Sequence, residues 1–409
     1  MSTSIEYSLA DFAFPDTSDP AQAPPEFTAW LARCQEPLSL MEPRLHGAAL
    51  PRVDIERAGA RRSVINLASY NYLGLNRHPD VLRAAALALQ EYGTGACGSP
   101  ILSGTSDLHA LLEERLAEHL GRESCLLFNS GYAGGMGSLA GLLRKGDVAI
   151  LDARCHLCLI DGARVSGAKL VFFDHNDPVS LERALDAAAG RRRLVVLEGV
   201  YSMDGDLADL PSLVPVAEAH DVPIFIDEAH SYLMFGETGG GVVEHFGMQG
   251  RIALQFGTFS KALAGIGGFT AGDRETLQYL RLYSRPYGFS CALPPSVVAG
   301  VMAALDIATR DGSRRETLWR NTHYFRARAQ EAGLDCGESE SPVIPIMMGS
   351  DRDRLYERCA EMTRRGLFLA PIDYPSVPED ALRYRVAITA AHTPDELDCA
   401  LDILTDTLL

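Results

Sequence analysis

Lys261 closes the run Gly257-Thr258-Phe259-Ser260-Lys261, and the glycine-rich stretch Ala264-Gly265-Ile266-Gly267-Gly268 follows it. Upstream, the apolar run Val222-Pro223-Ile224-Phe225-Ile226 ends abruptly in Asp227-Glu228-Ala229-His230. A lysine amine can condense with an aldehyde to form a Schiff base, and a carboxylate ending a buried strand can keep a pyridine nitrogen protonated. Hydroxyls such as those of Thr258 and Ser260, with backbone N–H groups beside them, can hold a phosphate. These are the groups that pyridoxal phosphate (PLP) chemistry needs. An isolated lysine is ordinarily a solvated surface charge. Lys261 instead follows a strand and two hydroxyl residues, and it precedes glycines that permit close backbone approach.

The other candidates follow from the same chemistry. Asp227 ends an apolar strand, where a carboxylate is desolvated and calls for a cation; a pyridinium N–H is one, and the plain alternative is a helix cap or turn acid. His230, on the same loop, can reach the cofactor's phenolic oxygen. Asn129-Ser130-Gly131-Tyr132 follows a strand and opens a glycine-rich helix, whose first N–H groups form a second phosphate element. His156 lies just past the strand that ends in Asp152, where an imidazole either stacks on a pyridine face or serves the structure. Arg385, in a C-terminal strand between apolar residues, wants an anion: a substrate carboxylate or an internal acid.

These residues need a frame. Residues 1–25 read as a flexible arm, with a short helix at 27–34 and a strand pair at 52–55 and 64–67. Helices are expected at 79–92 and 106–120; in the second, Leu108, Leu111, Leu112 and Leu116 recur at helical spacing. From 124 to 272, short apolar runs (124–129, 148–152, 169–174, 194–198, 223–227, 252–256, 268–272) alternate with helical stretches (134–143, 158–166, 178–188, 210–220). Such alternation predicts an α/β fold, a mainly parallel seven-stranded sheet covered by helices, with ligands beyond the carboxyl ends of its strands. Asn129, Asp152, His156, Glu198, Ser202, Asp227, His230, Thr258 and Lys261 all cluster at those ends. After Pro294-Pro295, a helical region (296–333) leads into a small α/β module with strands at 342–348, 367–370 and 382–387. The expected division is an N-terminal arm and small segment (1–65), a large domain (66–295) and a small C-terminal domain (296–409).

The chain of 409 residues is 47% hydrophobic, enough for a large core, and its net charge of −17 argues against a nucleic-acid or anionic-membrane surface. Arg191-Arg192-Arg193 immediately precedes a strand and reads as a solvated loop. Cys155 and Cys158 have CxxC spacing without a second pair, so neither a metal nor a redox site is expected. Scattered cysteines, an acidic N-terminus without a basic or apolar signal region, and no apolar run approaching the roughly 18 residues of a spanning helix point to the cytoplasm.

Seven segments then carry a resemblance: Ser69-Tyr70-Asn71-Tyr72-Leu73-Gly74-Leu75, His156 with Ile160-Asp161-Gly162, His175-Asn176-Asp177, the run from Glu198 to Asp206, Asp227-Glu228-Ala229-His230-Ser231, Gly257 to Lys261, and Phe289-Ser290-Cys291-Ala292-Leu293-Pro294-Pro295. Together they resemble the α-oxoamine synthase family of PLP-dependent acyltransferases. The closest motifs are those of its branch containing bacterial serine palmitoyltransferase and 8-amino-7-oxononanoate synthase. The resemblance implies the aspartate-aminotransferase-like fold (fold type I) and a homodimer with its site at the subunit interface. It implies that Lys261 carries PLP, His156 stacks on the ring, Asp227 pairs with the ring nitrogen, and His230 and Ser202 sit near the phenolic oxygen. Gly131, Tyr132, Thr258 and Ser260 would hold the phosphate, Ser290 would come from the other subunit, and Arg385, with Tyr70 nearby, would receive the amino-acid carboxylate.

The reaction so implied is a decarboxylative Claisen-type condensation. Serine, glycine or alanine would meet an acyl thioester, on coenzyme A or on an acyl carrier protein, releasing CO2 and leaving an α-amino ketone. Four departures bear on the substrates: Pro100 where the family often has arginine, Gly135 for a usual asparagine, Leu157 for a small residue, and Cys291 beside Ser290. The alternatives are another PLP reaction on the same fold, such as aminotransfer or retro-aldol cleavage, and a non-catalytic partner subunit.

Overall fold

The structure, a computed structural model, describes residues 19–33, 42–57, 59–310 and 312–409. The arm expected at 1–25 falls mostly outside them, as does Cys34 at the end of the first expected helix, which is seen as Pro25–Arg33. The chain divides into two compact units.

The smaller unit comprises the described residues up to Tyr70, Met203–Gly205 and Thr317–Leu409. Its N-terminal strands β1 (Arg44–His46), β2 (Arg52–Arg57) and β3 (Ala60–Asn66) pair antiparallel in sequence.

The larger unit, Asn71–Ser202 with Asp206–Glu316, is built on β4 (Ser124–Phe128), β5 (Val148–Asp152), β6 (Lys169–Phe173), β7 (Arg193–Glu198), β8 (Ile224–Asp227), β9 (Leu254–Thr258) and β10 (Gly268–Gly272). They form one sheet in the order β4-β10-β9-β8-β7-β5-β6, parallel except at β10, which runs against both neighbours. Strands β5, β8 and β9 are buried along their whole length. Uninterrupted apolar runs of this kind fit a sheet covered on both faces. The helices Gly131–Leu142 and Leu157–Ser166 pack almost backbone to backbone, since a Cβ on Gly162 would stand 2.7 Å from the Met136 carbonyl oxygen.

Back in the smaller unit, β11 (Val343–Gly349), β13 (Pro371–Ile372) and β14 (Leu382–Ala387) form a three-stranded sheet, and β12 (Leu367–Phe368) pairs parallel with β3. The strand expected at 367–370 is thus seen only as the short β12, and β13 follows just beyond it in the other sheet. The expected boundaries also lie elsewhere. Pairing of β3 with β12 joins the N-terminal segment to the C-terminal unit, and the split there falls after Tyr70. The helix Pro295–Arg310 packs on Pro79–Tyr92, with Gly300 against Ala85, so the larger unit runs on to Glu316 rather than ending at 295. The helical region expected over 296–333 is seen as two helices, Pro295–Arg310 and Ser313–Glu331, with Gly312 at φ +65° just before the second.

Two smaller differences shape the site. Hydrogen bonding to β10 carries β9 on to Thr258, beyond the expected end at 256. The helix expected from 134 starts at Gly131, because the Ser130 hydroxyl accepts from Ala133 N–H at 3.0 Å and caps it. Arg193, in the basic run, donates to the Leu185 and His220 carbonyls at 3.0 and 2.9 Å, tying two helix ends to the sheet. No helix among the described residues is long and apolar enough to cross a membrane.

One ion-pair cluster braces the carboxyl edge of this sheet. His175 bridges Asp152 Oδ1 at 2.9 Å and Asp206 Oδ2 at 2.6 Å. Burial by itself would lower its pKa, but the two carboxylates outweigh it and push it up to about 9. The folded value lies above the ordinary histidine value of 6.5, so this contribution to stability is complete below about pH 6 and is lost as pH rises through about 9. Thermal unfolding of the wild type and of His175→Gln across that window should converge toward high pH; parallel curves would refute the assignment.

Candidate active site

The parallel strands β7, β8 and β9 end side by side. Glu198 is in register with Asp227, and Asp227 with Phe256, two residues before Thr258. Asp227 is 5% exposed, and one oxygen accepts from Ala229 N–H at 2.8 Å, bending the chain into the turn that carries His230. Burial pushes the Asp227 carboxyl up to about 6, against the pull of the Lys261 ammonium and the Ala229 N–H. Lys261 thus faces Asp227 electrostatically from the turn between β9 and β10. The Glu198 carboxyl is pushed up as well, by burial first and then by the Asp227 charge.

His230 is buried, and its Nδ1 lies 2.8 Å from the hydroxyl of the fully buried Tyr72. That bond fixes the ring in the turn. Glu228 secures the same turn from beneath. It accepts from the Ser231 hydroxyl and from Val242 and Val243 N–H at 2.9 and 3.0 Å. Ser202 lies just beyond β7 and is also buried.

Two elements meet just before Lys261, with a set of groups suited to an anion. Gly131 heads its helix so close to Thr258 that a Cβ there would stand 2.7 Å from Oγ1. Thr258 Oγ1 donates to the Gly267 carbonyl at 2.9 Å and lies 2.9 Å from Ser260 Oγ. With Ala133 N–H already capped by Ser130, the N–H groups of Gly131 and Tyr132 lead the helix dipole. The Tyr132 hydroxyl is engaged elsewhere. It donates to Asp161, and that bond, with some burial, pushes it up to about 12. Tyr132 therefore offers an anion its backbone rather than its ring hydroxyl. His156 caps the next helix, its Nδ1 accepting from Cys158 N–H at 3.2 Å, and its ring stands edge-on to Tyr132 with centroids 6.2 Å apart.

This donor set fits PLP. A primary amine, a buried acid that needs a cation, and an amide-and-hydroxyl cradle for a phosphate are grouped at one edge of one sheet. Ser290 stands apart from these contacts. Its hydroxyl donates to the Pro286 carbonyl, and it lines a small cavity with Asn129, Pro100 and Cys291. Tyr70 and Arg385 belong to the smaller unit, where the Arg385 guanidinium lies 5.9 Å over the Tyr70 ring and 3.9 Å from Met203 Sδ. Its strand neighbour Arg383 is ion-paired to Asp204 at 2.6 Å. Cys155 and Cys158 are buried in the core, where burial pushes both thiols well up.

Tyr72, Asp161, Glu198 and Glu228 stand in the motifs quoted above without a role of their own there, since nothing local says what each one holds. Tyr72 meets His230 across 158 residues of chain.

The chain matches the family described as aminotransferase class I and II over residues 62–404. It is 40% identical to the 8-amino-7-oxononanoate synthase of Thermoanaerobacter pseudethanolicus over 83% of this chain and 86% of that one. It is 36% identical to the serine palmitoyltransferase of Sphingobacterium spiritivorum, again over 83% and 86%. The fold superposes on the serine palmitoyltransferase of S. paucimobilis, solved with PLP and myriocin, with a TM-score of 0.88 and 32% identity, covering 93% of this chain and 97% of that one.

The Asp227 environment predicts a trade between stability and binding. Its folded pKa is raised, so in the PLP-free protein the group favours folding below the ordinary aspartate value of 3.8 and ceases to do so as pH rises through about 6. At neutral pH, Asp227→Asn without PLP should melt no lower than wild type, yet bind PLP at least tenfold or so more weakly. A lower melting temperature with unchanged PLP affinity would contradict this.

Proposed function

We propose that this chain, which belongs to the aminotransferase class I and II family, is a PLP-dependent acyltransferase of the α-oxoamine synthase type. It joins a small amino acid to an acyl thioester with loss of CO2 and release of the thiol, and leaves an α-amino ketone. The observation that carries the reading is the buried Asp227 carboxyl facing Lys261 at the carboxyl edge of the parallel sheet. The relatives named 8-amino-7-oxononanoate synthase and serine palmitoyltransferase support it.

Bound PLP supplies an electron sink for the pair left on Cα when one of its bonds breaks. The chain's residues do the rest. Lys261 holds the cofactor and, once released by the amino acid, takes the Cα proton on its amine. Asp227 opposes the ring N–H and keeps the sink cationic. His230, held by Tyr72, and Ser202 serve the phenolic oxygen. Gly131 and Tyr132 N–H with Thr258 and Ser260 hold the phosphate, and His156 covers a ring face. Arg385, over the ring of Tyr70, receives the substrate carboxylate. Ser290 is read as serving the second copy of a homodimer.

Serine is the first amino acid to try, then glycine and alanine, each against acyl-coenzyme A and acyl carrier protein donors, with products identified by mass. CO2 release should require the thioester. Turnover without a thioester would favour aminotransfer or retro-aldol chemistry, and a protein that takes up no PLP would be a non-catalytic subunit. Lys261→Ala should lower turnover by about a thousandfold or more; undiminished turnover would rule out its role as base and carrier.

A further inference from the structure

Glu198 is a buried carboxyl beside Asp227 that the proposed chemistry leaves unused. It is 2% exposed and ends β7 in direct register with Asp227 of β8. Residues in register on neighbouring strands project to the same face. Two carboxyl groups therefore lie side by side above the apolar sheet. Glu198 accepts a hydrogen bond from the backbone N–H of His156. His156 is pinned twice, since its own ring caps the helix Leu157–Ser166. The backbone anchor supplied by Glu198 thus sets where the imidazole stands.

The groups acting on this corner come from every element around it. Asp227 faces Glu198 from β8, Asp152 from β5, Lys261 from the turn after β9, the Cys155 and Cys158 thiols from the turn and helix after β5, and the Tyr201 hydroxyl from beyond β7. Among them Lys261 is the cation, and Asp152 is matched by His175. One ammonium is left facing two buried carboxyls, and adjacent carboxyls in a dry site do not both ionise readily. Asp227 is the better held of the two: it has the Ala229 N–H and, in the function proposed above, the ring N–H of the cofactor. Accepting from His156 N–H asks of Glu198 only one carboxyl oxygen, and a protonated carboxyl supplies it. Burial and the neighbouring charge push Glu198 the same way.

We propose that Glu198 is a positioning residue that works as a neutral carboxyl: it anchors the His156 backbone and leaves the negative charge of the site to Asp227. This rests on the PLP reading above, so the test separates the two. Wild type, Glu198→Gln, Glu198→Met and Asp227→Asn are each titrated with PLP, following the visible absorption and circular dichroism of the bound cofactor. Infrared difference spectra of wild type against Glu198→Gln are recorded at neutral pH on the protein alone.

Glutamine keeps the acceptor and lacks the charge, so Glu198→Gln should bind PLP within about threefold of wild type, with its visible band titrating at the same pH. Methionine keeps the bulk and loses the acceptor, so Glu198→Met should bind about tenfold more weakly with a diminished visible dichroism. The infrared difference should contain the carbonyl stretch of a protonated carboxylic acid. The inference fails if Glu198→Gln shifts the band titration or loses affinity as Asp227→Asn does, or if the infrared difference shows only a carboxylate. It fails equally if Glu198→Met matches Glu198→Gln. Should Glu198→Met not fold, the glutamine variant and the infrared spectrum still decide the charge. A wild type with no visible band after PLP addition would sink the functional reading instead, and the infrared result on the bare protein would stand.

Discussion

Two carboxyl groups buried side by side at the carboxyl edge of a parallel sheet are the constraint around which the larger unit is arranged. Taking a carboxylate out of water costs several kcal/mol unless a cation or good donors meet it. Asp227 has a backbone N–H and the Lys261 ammonium within electrostatic reach; Glu198 has one N–H and the same ammonium, set against the charges of Asp227 and Asp152. An apolar pair at these positions would serve the core better. Their retention marks the edge as a place where stability is given up for binding.

The surrounding structure holds that edge still. Glu228 pins the turn after β8 through Ser231 and two backbone N–H groups. Tyr72 fixes the His230 ring. His175, charged between two aspartates, ties the ends of β5 and β6 to the segment after β7. Glu228 and Tyr72 are buried and His175 largely so, and each is hydrogen-bonded to partners distant in the fold, which steadies the turns that carry the reactive side chains. The helix that begins at Gly131 can approach Thr258 because Gly131 has no Cβ to fill the gap.

Much of the fold was legible because its signals are local. The runs at 148–152 and 268–272 coincide with β5 and β10, and 79–92 coincides with a helix, since each is bounded by proline, glycine or a charge. Misplaced ends have a common cause. β9 runs two residues past its apolar stretch because β10 offers it hydrogen bonds, and the segment after 366 splits because two different sheets compete for it. The division into units was legible only in part, since β3 pairs with a strand some 300 residues away in sequence. Lys261, Asp227, His230 and Thr258 could be named from type and spacing; the hydroxyl of Tyr132, held by Asp161, and the anchoring of His156 by Glu198 could not.

The sequence by itself determined the chemistry on offer: an amine, an acid that must be desolvated, hydroxyls and helix-opening glycines, in an order that only one kind of sheet can bring to a common edge. These are properties of residue type and short-range spacing. Tertiary structure alone decided which groups share a charge, which side chains are already spoken for, and which backbone each one steadies. Those outcomes depend on burial and on partners far apart along the chain, and a carboxyl is charged or neutral only by virtue of what the fold places beside it.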